Sequence, residues 1–100
     1  MPKFNMSHQS KLKPKEAFNK ICKIIEEEEQ LAKLDPDYKC NFDKKNLCGD
    51  AKSKYFKADL NVSENDKGSL VEIIIDLPLK FALAKGVITK RLKAKMESVL

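Results

Sequence analysis

Leu70-Val71-Glu72-Ile73-Ile74-Ile75-Asp76-Leu77-Pro78 is the stretch that decides the fold, because it alternates as a strand and ends on a proline that hands over to a basic amphipathic segment. Side chains on a strand point to its two faces in turn. Val71, Ile73, Ile75 and Leu77 therefore share one face and predict the core side, while Leu70 and Ile74 share the other with Glu72 and Asp76. Those two aliphatics on an otherwise polar face are candidates for contact with a protein partner or a second copy of the chain.

Downstream, Leu79, Phe81 and Leu83 lead into Ala84-Lys85-Gly86-Val87, and Ile88, Leu92, Met96 and Val99 then recur at helical steps. This spacing predicts a closing helix whose apolar stripe covers the sheet. Lys85, Lys90, Arg91, Lys93 and Lys95 fill the other positions and are the surface-binding candidates, since lysines around such a stripe stay available to an anionic surface.

Upstream, Asn65-Asp66-Lys67-Gly68 predicts a hairpin turn preceded by a strand carrying Phe56, Ala58, Leu60 and Val62. Tyr38, Cys40 and Phe42 predict another strand, with Lys44-Lys45-Asn46 and Gly49-Asp50 read as turns. Phe4, Met6 and His8 alternate as a short opening strand. Pro14 opens a helix through Phe18, Ile21, Cys22 and Ile25; Leu31 and Leu34 continue its apolar face until Asp35-Pro36-Asp37 stops it. The acidic run Glu26-Glu27-Glu28-Glu29 reads as the solvated end of that helix, with a docking patch for a basic partner as the alternative. The order is β-α-β-β-β-α: one α+β domain over residues 1–100, a mostly antiparallel four-stranded sheet with two helices packed on one face.

Composition narrows the chemistry. A domain of 100 residues hides roughly two thirds of its unfolded surface, enough for one core and little for a deep catalytic cleft beside it. The net charge of +5 favours anionic partners. Cys22, Cys40 and Cys48 show no CxxC spacing, His8 is the only histidine, and Gly49, Gly68 and Gly86 are too scattered to cradle a nucleotide. Cys22 and Cys40 are expected to be buried, with Cys48, in a turn near Gly49, the most exposed of the three. Asp59, Glu72 and Asp76 could hold a hard cation only if the sheet gathered them. No enzyme, cofactor or metal is expected on these residues. The chain lacks an apolar run of about 20 residues, and Met1-Pro2-Lys3-Phe4-Asn5 lacks the apolar core of a signal peptide, so a cytoplasmic, peripheral protein is expected.

The whole chain resembles the polyhydroxyalkanoic acid system proteins, a family of small bacterial proteins encoded near polyester storage genes. The resemblance lies in the short opening strand, the helix entry Leu12-Lys13-Pro14-Lys15-Glu16-Ala17, the Gly49-containing turn, and above all Ile75-Asp76-Leu77-Pro78-Leu79 followed by Phe81, Gly86 and Ile88. Family members tend to carry a histidine two residues before that leucine of the helix entry, where this chain has Ser10. The resemblance implies a non-enzymatic accessory role in storage, with association to the granule surface or to another granule protein. It implies no active-site residues. The alternatives are a small basic nucleic-acid-binding domain, since helix, three strands and helix is also the order of double-stranded-RNA-binding domains, or a homodimeric interaction module using Leu70 and Ile74.

Overall fold

The alternating segments build one antiparallel sheet in the order β1-β5-β4-β3-β2, formed by β1 (Lys3–Ser10), β2 (Lys39–Asp43), β3 (Cys48–Lys52), β4 (Lys57–Asn65) and β5 (Gly68–Asp76). The structure is a computed structural model that describes residues 3–100, so Met1 and Pro2 of the opening segment lie outside the described residues. Between β1 and β2 run α1 (Pro14–Glu26) and α2 (Glu29–Leu34), and β5 leads through one 3-10 turn (Leu79–Phe81) into α3 (Ala82–Val99).

The expectation of a four-stranded sheet and the order β-α-β-β-β-α is corrected by these elements. Among the described residues the sheet has five strands and the order is β-α-α-β-β-β-β-α. The added strand is β3, whose Gly49-Asp50 reads as a turn in sequence but pairs inside the ladder, Gly49 with Phe42 on one side and Leu60 on the other. A glycine is required there because a Cβ at Gly49 would stand 2.7 Å from Phe42 Cδ1 and 2.5 Å from the Asn41 carbonyl oxygen. Phe42 thus lies over the bare backbone, and its ring meets Phe18 of α1 edge-on at 6.3 Å. The second correction concerns the first helix, which does not continue to Leu34 but breaks at Glu27 and restarts as α2.

The inner face of the sheet carries the expected set. Phe56, Leu60, Val62, Val71, Ile73, Ile75 and Leu77 are buried in one cluster with Phe18, Ile21 and Ile25 of α1 and with Ile88, Leu92 and Met96 of α3. Val99, expected under the sheet, is exposed instead. Ile73 sits at the centre of β5, only 1% exposed. Truncating it to alanine should cost about 2–5 kcal/mol, measurable as a lowered midpoint in urea unfolding. At the far end, Ser10 Oγ donates to the Leu100 carbonyl at 2.9 Å and ties the end of α3 to the end of β1. The hairpin closes at Gly68, whose φ of 135° and close approach to the Ser10 carbonyl exclude a side chain.

Candidate functional site

Two features of the helical layer stand out: a buried carboxylate, and an apolar ridge that runs from the 3-10 turn onto the outer side of α3.

The carboxylate belongs to Glu28, whose residue is 0% exposed. It accepts from Arg91 Nε at 2.7 Å, from Lys95 Nζ at 3.1 Å and from the Gln30 backbone N–H at 3.1 Å. The last bond makes Glu28 the N-cap of α2, which explains why the helix restarts there. The preceding helix end is satisfied from another direction: the Tyr38 hydroxyl bonds the carbonyls of Ile25 and Glu26 at 2.7 and 2.8 Å. Burial pushes the Glu28 carboxyl up, but Arg91, the Gln30 N–H and Lys95 outweigh it and hold the group below the usual carboxylate range. A carboxylate so fully paired is a structural anchor between α1, α2 and α3. Of the four adjacent glutamates, Glu26, Glu27 and Glu29 are exposed, so the solvated reading holds for three and is corrected for Glu28.

The anchor divides the basic candidates. Arg91 and Lys95 are engaged with Glu28. Lys85, Lys90 and Lys93 are exposed and take part in no ion pair among the described residues. Lys85 instead holds its ammonium 5.1 Å from the centre of the Phe4 ring.

The ridge is formed by Leu79, Leu83 and Val87, which are 78%, 92% and 46% exposed. Leu79 opens the 3-10 turn that leads into α3, while Leu83 and Val87, four residues apart, stand one above the other on α3 beside the buried stripe of Ile88, Leu92 and Met96. Lys80 and Lys90, three residues from Leu83 and Val87, border the same face. From Leu77 to Met96 the chain holds six cations and no carboxylate. The ridge begins at the tip of the molecule where β5 ends, and there Tyr55 of the β3–β4 loop meets Phe81 edge-on at 6.0 Å while Lys80 Nζ stands 5.6 and 5.2 Å from the two rings. A cleft of about 120 Å³ between Phe4, Leu77, Pro78, Leu79 and Lys85 opens beside it. Sequence reasoning missed the ridge because Leu79, Leu83 and Val87 read as the lead-in to the core stripe. Their offset of one residue from Ala84 and Ile88 was the available signal.

The remaining candidates do not gather. Ile74 is exposed, but Leu70 is half-buried, and around them the outer sheet face carries Asp59, Asn61, Ser63 and Glu72. Among the described residues no three of His, Cys, Asp and Glu cluster as a metal site; Asp59, Glu72 and Asp76 lie opposite Ile74, Asn61 and Lys57. The three cysteines are free. Burial, aided by Glu26, pushes the Cys22 thiol up to about 12 and raises Cys40 as well, so thiolate is scarce at both near neutral pH. Cys48 lies in β3 rather than in a turn, half-buried like Cys40. No described helix is long and apolar enough to cross a membrane.

No protein-family model matches the chain, and no curated protein matches it. Among solved structures, Ara h 8.0201 is similar with a TM-score of 0.60 at 12% identity, over 97% of this chain and 95% of that one. TTHA0849 from Thermus thermophilus is similar with a TM-score of 0.55 at 11% identity, over 98% of this chain and 91% of that one. At such identities the likeness shows the α+β fold alone.

Proposed function

We propose that this chain is a non-enzymatic accessory protein of bacterial polyhydroxyalkanoate storage that docks peripherally on the granule surface through the Leu79-Leu83-Val87 ridge. The carrying observation is the exposure of those three side chains within a segment that holds cations and no acid. Scattered surface aliphatics are ordinary, but Leu79, Leu83 and Val87 are exposed within one short stretch bordered by lysines, which offers apolar and cationic side chains together to an anionic, partly apolar surface. Taking a leucine out of water contributes roughly 1.5–3 kcal/mol, and each lysine near an anionic surface adds about 1 kcal/mol. The polyester storage context comes from the resemblance in the Ile75-Asp76-Leu77-Pro78-Leu79 segment.

The test is sedimentation with polyester particles and with anionic vesicles at low salt. The parent should partition to the particles, and Lys90→Glu with Lys93→Glu should weaken binding while leaving the melting temperature within a degree or two, because both lysines are exposed and unpaired among the described residues. Failure of the parent to sediment with the polyester particles would overturn the proposal.

A further inference from the structure

The strand register lines up an unusual row of charge. Lys3 pairs with Asp76, Asp76 with Lys57, Lys57 with Lys52 and Lys52 with Lys39, so four lysines and one aspartate cross all five strands side by side. All five belong to the outer face, because their neighbours Phe4, Ile75, Ala58, Ala51 and Cys40 turn toward the helices. The next two rows, Asn5-Ile74-Asp59-Asp50-Asn41 and Ser7-Glu72-Asn61-Cys48-Asp43, hold four carboxylates and no cation. The outer face is thus basic at one end and acidic behind it.

Folding accounts for Lys3 and Lys57, which face Asp76, but not for Lys39 and Lys52. Like charges directly opposite one another destabilise a sheet, and Lys39 faces Lys52 while Lys52 faces Lys57. Lysines on edge strands discourage sheet-to-sheet pairing, which covers Lys3 on β1 and Lys39 on β2, but Lys52 and Lys57 lie on inner strands where that explanation does not reach. Lys57 has Asp59 at 3.6 Å; Lys3, Lys39 and Lys52 take part in no ion pair among the described residues. The row also adjoins the ridge. Lys52 and Lys57 flank the loop that carries Tyr55, Tyr55 packs on Phe81, and Asp76 lies three residues before Leu79.

We infer that this row is a second contact element, which binds the phosphate headgroups of an anionic phospholipid layer while the tip of the ridge inserts beside it. The inference rests on the surface-docking proposal. At about 4.8 Å between strands the row spans roughly 19 Å, room for several headgroups at once. The acidic rows behind it are repelled by the same layer, so the charge pattern sets which end of the molecule faces the surface. Continuity with the apolar ridge favours a lipid layer over a nucleic acid, whose phosphates would leave Leu79 and Leu83 in water.

The experiment compares the full chain with Lys39→Gln/Lys52→Gln and with Leu79→Ser/Leu83→Ser in flotation with phosphatidylcholine vesicles and with vesicles containing phosphatidylglycerol. The lysine variant should be at least as stable as the parent and lose about thirtyfold in affinity for the anionic vesicles only, roughly fivefold per lysine. The leucine variant should lose binding to both. If the lysine variant binds anionic vesicles like the parent while the leucine variant fails, the row inference falls and surface docking stands. If the parent floats with neither vesicle, the inference falls, and polyester-particle binding then decides surface docking separately. If the lysine variant instead loses binding to an RNA or DNA oligonucleotide with vesicle binding intact, the row belongs to nucleic acid and the inference is overturned.

Discussion

Replacing Glu28 with alanine should lower the unfolding free energy by about 3–5 kcal/mol, the usual effect of breaking a buried ion pair by removing one partner. Three losses coincide at this residue. Arg91 and Lys95 lose the carboxylate they converge on, α2 loses its N-cap, and a side chain that is 0% exposed leaves a void between three helices. For a domain of this size each kcal/mol moves the melting temperature by roughly 4–8 °C, so a drop of more than about 12 °C is expected in a thermal scan. A change of under about 1 kcal/mol would mean that the two cations simply turn to water and that α2 caps itself some other way.

The same residue contributes to the acid limb of stability. The folded state holds the Glu28 carboxyl below its unfolded value, so the anchor's contribution is fully present above the unfolded value, near 4.3, and is lost as pH falls through the folded one. Glu28→Gln should therefore be less stable than the parent at neutral pH, with the difference shrinking as the pH is taken below about 4. Urea melts at several pH values read this directly, and a difference independent of pH would assign the effect to packing rather than charge.

The contrast between what sequence disclosed and what it hid has physical causes. The β5 alternation was legible because period-two burial on a half-covered strand leaves an unambiguous pattern, and Val71, Ile73 and Ile75 are buried as expected. The third strand was hidden because Cys48-Gly49-Asp50-Ala51-Lys52 contains no β-branched or aromatic residue; the large side chain it lacks is supplied by Phe42 lying across Gly49. Ala51 and Ala58, paired beneath α1, are small for the same reason that helices need room to approach a sheet. Nor could the Glu26–Glu29 run say which member is buried. Four identical side chains in succession carry no mark of which one is buried, and the break in the helix at Glu27 together with the arrival of Arg91 and Lys95 from the opposite end of the sequence selects Glu28. Consequently the five cations proposed as one binding face divide into structural and free members, a division that pairwise contact decides and composition cannot.

Removing the ridge should have the largest effect on binding. The triple variant Leu79→Ser, Leu83→Ser and Val87→Ser should lose at least a hundredfold in affinity for polyester particles, which corresponds to about 3 kcal/mol, because two exposed leucines alone offer roughly that much on leaving water. The fold should tolerate the change. Leu79 and Leu83 are 78% and 92% exposed, so little of either is buried on folding, and serine in place of Leu83 costs α3 only about a few tenths of a kcal/mol in helix propensity. A matched control, Leu92→Ser, removes a buried member of the same helix and should unfold the domain long before its effect on binding can be read. Leu92 lies on the buried side of α3, whereas Leu83 and Val87 lie on its exposed side. Full binding by the triple variant, with its melting temperature unchanged, would show that the exposed leucines are ordinary surface aliphatics, and the lysines alone would then have to hold the protein on its surface, with steep salt dependence as the sign.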